Sequence, residues 1–263
     1  MHSMASPGDA CIEKLLADPS TFPTSVDPRV ANHLYQLVIH VRPTLVFETG
    51  SHIGFSSLHI AKALRENGHG KLVSFDTNIR EVSRNIEQAQ FNEYVELVSG
   101  DSAVQMRVYL TEKRVKEIDI AFIDGDHTRR GCVRDFESIH SHIKVGGYVI
   151  FHDIHPEICG WKGPRFVLNI LKRTSRCSLL ERYEVEEIHD LDPFGFAVCR
   201  KISSGENPLG ERSLRIDPTF WLVTSKPAAL LELTQFFWRR THNPLRIMYR
   251  ISKILMDLVK KRL

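Results

Sequence analysis

The feature that most constrains this chain is an alternation, from about residue 40 to residue 200, of short β-rich runs with amphipathic helical ones. Consecutive parallel strands need a crossover, and a helix is the usual one, so the rhythm predicts an α/β, doubly wound parallel sheet. Strand candidates lie at residues 45–47, 72–75, 95–98, 118–123 and 148–151. The fourth and fifth are nearly continuous in apolar residues, as strands covered on both faces are. Helix candidates lie at about 55–67, 80–90, 102–113 and 129–142. Lys144-Val145-Gly146-Gly147 reads as a turn into the fifth strand, with the glycines stopping the preceding helix. Asp27-Pro28 followed by Val30, Leu34, Leu37 and Val38 reads as an N-capped amphipathic helix ahead of the sheet. After the fifth strand, residues 164–173 read as a helix, 183–188 and 195–200 as a pair of last strands, and 203–208 as a domain boundary.

Three segments follow: an N-terminal segment over 1–27, the α/β domain over 28–202, and a linker with a helical tail over 203–263. Residues 1–9 lack a charged n-region and an apolar h-region, so they read as a disordered start and not as a signal peptide. No apolar run reaches the 18 or so residues that span a bilayer. The five cysteines, Cys11, Cys132, Cys159, Cys177 and Cys199, are odd in number and form no CxxC pair. That pattern argues against a disulfide framework and a zinc site, and fits a reducing cytoplasm.

The segment Val46-Phe47-Glu48-Thr49-Gly50-Ser51-His52-Ile53-Gly54-Phe55-Ser56 leaves a strand, turns through two glycines and enters a helix, so a nucleotide-type ligand can lie against its backbone. Gly50 and Gly54 are read as positions where a side chain would hold the ligand away, with Ser51 between them and Ser56 as a hydroxyl donor. The spacing differs from GxGxxG, and Glu48 would repel a pyrophosphate but attract a cationic sulfonium. Asp76 closes the second strand, where an acidic side chain commonly accepts hydrogen bonds from ribose, and Gly100-Asp101-Ser102 ends the third, beside an adenine.

Two further strand ends carry ionisable bursts: Asp124-Gly125-Asp126-His127 and His152-Asp153-Ile154-His155. If these strands are neighbours, Asp124 and Asp153 project from points about 5 Å apart and can share one hard cation such as Mg²⁺. A hydroxyl touching that ion becomes more acidic, and His127 can remove its proton. His155 is a reserve base, and Trp161 and Lys162 are candidate substrate contacts. The same residues also have a plain structural reading, with Asp126 as a helix cap, Asp124 as an acceptor of backbone hydrogen bonds and Gly50 and Gly54 as turn formers.

On the residues from Glu48 to Gly54 the chain resembles class I S-adenosylmethionine-dependent methyltransferases over about residues 28–200. That resemblance implies a seven-stranded Rossmann-like sheet with its last strand antiparallel. Asp124-Gly125-Asp126-His127, Asp135-Phe136, Lys144-Val145-Gly146-Gly147 and His152-Asp153 further resemble the metal-dependent sugar O-methyltransferases of macrolide tailoring, and more distantly catechol and caffeoyl-CoA O-methyltransferases. Position by position, the resemblance makes Asp124 and Asp153 metal ligands, with Asp124 also at the cofactor's edge, and His127 the base. Where the sugar enzymes place a glutamate before the second aspartate, this chain has His152, whose imidazole favours a softer ion such as Mn²⁺. The implied activity is O-methylation of a small molecule, saccharide or natural product. Two other classes share the pattern: a cephalosporin-hydroxylase-like enzyme on the same fold, and a non-catalytic cofactor-binding adaptor.

The tail is a separate matter. Residues 239–263 hold eight Lys/Arg and one acid, a charge of +7 against +3 for the whole chain. Leu245, Met248, Ile251, Leu255 and Leu258 recur at helical spacing, so the stretch reads as a basic amphipathic helix. With the apolar run over 230–238, it calls for packing on its own domain, a homo-oligomer mate or a peripheral contact at the inner face of a membrane. Nucleic acid is disfavoured, because no aromatic-basic interleaving is present.

Overall fold

The computed structural model describes residues 6–21, 25–174 and 179–209. Every expectation for the tail, 228–263 included, therefore lies outside the described residues, as does Cys177. The described elements in chain order are α1 (Pro7–Ala17), α2 (Pro28–Val41), β1 (Leu45–Thr49), α3 (Phe55–Asn67), β2 (Lys71–Asp76), α4 (Arg80–Gln88), β3 (Val95–Ser99), α5 (Ser102–Glu112), β4 (Ile118–Ile123), α6 (Arg129–Ile139), β5 (Ile143–His152), α7 (Pro156–Cys159), α8 (Gly163–Thr174), β6 (Arg182–Ile188) and β7 (Phe196–Ser203).

The seven strands form one sheet in the order β3-β2-β1-β4-β5-β7-β6. β1 to β5 run parallel, and β7 inserts antiparallel between β5 and β6. The strand order reverses between β1 and β4, and in open α/β sheets a ligand binds beyond the carboxyl ends at such a switch point. Here those ends carry Gly50 and Asp124.

Because side chains alternate across a strand, neighbouring residues feed opposite cores. Val46, Leu72, Ile120 and Phe122 join α1 to α4 on one face. Phe47, Val73, Ala121 and Ile123 join α5, α6 and α8 on the other. β4 is buried along its whole length, which explains its unbroken apolar run. The one acid inside it, Asp119, lies toward the amino end and accepts the backbone N–H of Thr44 and Leu45 at 2.8 and 2.9 Å.

Three expectations change. Residues 7–9 belong to α1: Pro7 occupies the first turn, Ser6 Oγ accepts the Asp9 N–H at 3.2 Å, and Cys11 and Ile12 are buried in the core. The glycines at 146 and 147 do not stop a helix, since α6 already ends at Ile139 and a 3₁₀ turn follows over His140–His142. Instead they lie inside β5, where Gly146 at φ +89° shapes an irregularity between the Ile118 and Ile120 pairings. The proposed boundary at 203–208 falls slightly early, because Glu206 bridges to Leu180 and Leu209 is buried, so the compact unit runs to Leu209.

Candidate active site

The turn after β1 is built by close backbone approach. Gly50 sits at φ +80°, and a Cβ there would lie 2.3 Å from the carbonyl oxygen of Asp124. Gly54, at φ +89°, starts α3, and its Cβ would meet the Val82 side chain at 2.7 Å. Both glycines are thus required by the protein's own packing, as their reading as turn formers has it. Gly50 still lines a cleft of about 360 Å³, together with Phe75, Asp76, Asp101, Asp126 and Asp135, whereas Gly54 does not. That volume falls at the low end of the ~300–1,000 Å³ typical of small-molecule sites.

Glu48 does not face the cleft. It is fully buried, and its carboxylate accepts hydroxyl bonds from Ser56 at 2.6 Å, Ser57 at 2.5 Å and Ser74 at 2.7 Å. Burial pushes its carboxyl above the ordinary range, and the three hydroxyls pull it back. Glu48 with Ser56, Ser57 and Ser74 therefore pins α3 to β1 and β2, because a carboxyl this deep needs its oxygens satisfied by donors. Ser51 is buried, its Oγ 3.5 Å from Asp76 Oδ2.

Asp76 lines the cleft where expected. Its Oδ2 accepts the N–H of His52 at 2.9 Å, which fixes the glycine turn, and its Oδ1 accepts the Asn78 N–H at 2.9 Å. His52 holds a left-handed φ of +47° without being glycine. Asp101 also lines the cleft; it N-caps α5 through the Val104 N–H and forms a two-pronged pair with Arg134 at 2.9 and 3.0 Å. Asp135 lies at the floor, buried, accepting the Ser102 hydroxyl at 2.6 Å. Burial and the nearby Asp101 and Asp126 push its carboxyl up to about 6, although Ser102 opposes them.

Beside the cleft, β4 and β5 are neighbours, as anticipated, and their ends bring Asp124, His127, His152 and Asp153 together. His127 Nε2 lies 3.1 Å from Asp124 Oδ1 and 3.2 Å from Asp153 Oδ2. His152 Nδ1 lies 3.2 Å from Asp124 Oδ1 and 3.4 Å from Asp153 Oδ1. Asp153 holds φ +56°, a conformation that costs a non-glycine residue ~1–3 kcal/mol and clusters at functional sites. Burial disfavours charge on His152, but Asp124, Asp192 and Asp153 outweigh it and push the imidazole up to about 11. Burial likewise disfavours a charged Asp124, yet His152 and His127 hold its carboxyl down at about 2.

Asp192 escaped sequence reasoning. It is buried in the turn between β6 and β7, with Oδ2 2.7 Å from His152 Nε2 and Oδ1 accepting the Phe194 N–H at 2.8 Å. The only signal was the turn composition Asp192-Pro193-Phe194-Gly195, which says nothing of where the turn lands. Trp161, the candidate substrate contact, tilts over the His127 ring at 5.9 Å and is half exposed. His155 is not a spare base in the cluster: its ring is bonded to the Pro193 carbonyl and to His189, both at 3.0 Å. Asp126 accepts the Thr128 N–H at 2.9 Å at the start of α6 and also lines the cleft.

This sheet order, with the glycine turn at the switch point and the acidic edge beside it, is matched by sequence. Residues 47–154 match the family described as a methyltransferase domain. They are a methyltransferase domain. The same fold occurs in an O-methyltransferase from Bacillus cereus in complex with SAH, at 20% identity and a TM-score of 0.59, covering 74% of this chain and 91% of that one. A putative caffeoyl-CoA O-methyltransferase from Staphylococcus aureus is similar at 19% identity, 72% and 91% coverage and a TM-score of 0.57. The O-methyltransferase TomG from Streptomyces achromogenes, in complex with SAM, is similar at 16% identity, 76% and 92% coverage and 0.57. The described chain thus has the seven-stranded sheet and antiparallel last strand that the resemblance implied, β6 and β7 lying beyond the matched residues. Among the described residues no helix is long and apolar enough to cross a membrane.

Proposed function

We propose that this methyltransferase takes its methyl group from S-adenosylmethionine and transfers it to a hydroxyl of a small molecule, a saccharide or natural product by preference. The observation that carries the reading is the double role of Asp124. Its backbone carbonyl sits against Gly50 of the cleft, while its carboxylate gathers His127 and His152. Donor pocket and proton-handling groups therefore meet at one residue. The SAH and SAM complexes of the fold's relatives support the donor, and the acidic edge suits a sulfonium better than a phosphate.

The donor set also fits a divalent ion. Asp124, His152 and Asp153 each offer one atom, all within 4.8 Å of one another, with neighbour spacings of 3.2 and 3.4 Å from the His152 nitrogen. A Mg²⁺ or Mn²⁺ held there would supply charge that makes a bound hydroxyl more acidic. Independently of any ion, we assign His127 Nε2, which borders the same acidic edge, the role of taking the acceptor hydroxyl's proton. As the proton leaves, the oxygen forms a bond to the methyl carbon, and the C–S bond breaks with its electron pair on sulfur, leaving a neutral thioether. The sulfonium is already reactive, so alignment in the cleft supplies much of the rate.

The test is mass analysis of products from a panel of hydroxylated sugars and natural products incubated with S-adenosylmethionine labelled in its methyl group. Transfer of the label with a gain of CH₂ is expected. A gain of oxygen, or cofactor binding with no product across the panel, would contradict the reading.

A further inference from the structure

We propose that Asp192 is a positioning residue that turns His152 into a cation ligand, and that the resulting site prefers a transition ion such as Mn²⁺ to Mg²⁺. The inference rests on reading the strand-end cluster as a cation site. Imidazole can rotate and can protonate at either nitrogen, so a histidine at a strand end is not a ligand until something fixes it. Here both freedoms are removed. His152 is buried, and its Nε2 is held at 2.7 Å by Asp192, itself only 3% exposed. Asp192 is fixed in turn, because its other oxygen accepts the Phe194 N–H. The antiparallel pairing of β5 with β7 sets His152 opposite Phe196, which brings this turn over the imidazole.

With Nε2 engaged by Asp192, Nδ1 faces the site, hydrogen-bonded to Asp124 Oδ1 at 3.2 Å and 3.4 Å from Asp153 Oδ1, so a cation held there would take the place of the Nδ1 proton. Adjacent ligands about 2.1–2.2 Å from an ion stand roughly 3.0–3.6 Å apart, so the spacing matches a shared ion. A carboxylate behind a ligating histidine fixes its tautomer and raises its basicity. Mg²⁺ prefers oxygen and retains water, whereas divalent transition ions accept imidazole nitrogen more readily, Mn²⁺ standing at the weak end of their series and closest to Mg²⁺ in its preference for carboxylate. The histidine that departs from the resembling sugar enzymes is therefore matched by an aspartate forty residues away.

The experiment is calorimetric titration of the full chain with MnCl₂ and separately MgCl₂, without cofactor or acceptor. One equivalent of Mn²⁺ is expected to bind at least tenfold more tightly than Mg²⁺. Asp192→Asn keeps an oxygen for the Phe194 N–H but removes the carboxylate behind the ring, and should weaken Mn²⁺ binding about 10- to 100-fold while circular dichroism stays unchanged. His152→Glu, which supplies oxygen directly, should reverse the preference toward Mg²⁺ and tests the same point if Asp192→Asn does not fold. Equal or stronger Mg²⁺ binding to the unmodified chain, absence of Mn²⁺ binding, or Mn²⁺ affinity within twofold in Asp192→Asn would overturn the proposal. None of these readouts needs methyl transfer, so a chain that binds Mn²⁺ as described but transfers no methyl group would fail the function alone.

Discussion

The two halves of the site are built on different principles. On the β1–β3 side the surface offered to a ligand is largely backbone and fixed acids: a glycine turn, Asp76 bracing His52, and Asp101 held by Arg134. Its deepest carboxyl, Glu48, is withdrawn behind three serine hydroxyls. On the β4–β5 side the surface is made of side chains, with two histidines and two aspartates converging within 3.1 to 3.4 Å. The first half offers a donor a fixed surface; the second gathers groups of the kind that move protons and charge. Binding and chemistry should therefore separate under mutation.

The largest effect is expected at the seam. Gly50→Ala forces a Cβ to within 2.3 Å of the Asp124 carbonyl and a side chain onto φ +80°. Backbone, unlike a flexible side chain, cannot yield cheaply, so calorimetry with S-adenosylhomocysteine should show an affinity loss of about 100-fold or more, with a destabilisation of about 2–4 kcal/mol in denaturant. Retained affinity would mean that the turn does not position the donor.

A smaller effect concerns the floor of the cleft. The Asp135 carboxyl stands at about 6 in the fold against an ordinary 3.8, so the folded chain holds this proton more tightly than the unfolded one. Its stabilising contribution is complete below about pH 4 and lost as pH rises through 6. Asp135→Asn, neutral throughout, should be more stable than the unmodified chain at pH 8, by up to about 3 kcal/mol at roughly 1.4 kcal/mol per unit. The two should coincide near pH 3.5, as chemical denaturation at both pH values would show. The smallest effect is at the rim: Arg134→Ala removes a pair whose partners are 37% and 48% exposed, and should cost less than about 1 kcal/mol, fading in salt.

The same contrast governs what could be read in advance. Local periodicity located α3, expected over 55–67 and observed as Phe55–Asn67, and adjacency of β4 and β5 sufficed to gather Asp124, His127 and Asp153. Helix α1 went unseen although Ser6, Pro7 and Asp9 form a cap signal at its start. Glu48 was misread because its partners come from β2 and α3, and burial of a carboxylate depends on donors that only tertiary packing assembles. Asp192 was illegible for the same reason. Its role depends on the register of β5 with β7, which no local pattern encodes.

The most direct test measures both halves on one preparation of His127→Ala. His127 borders the cluster and is absent from the lining of the cleft, so affinity for S-adenosylhomocysteine should stay within about twofold while methyl transfer falls ~100- to 10,000-fold, as loss of a general base does. Turnover that survives the substitution, or affinity and turnover that fall together, would contradict the division between a binding half and a chemical half.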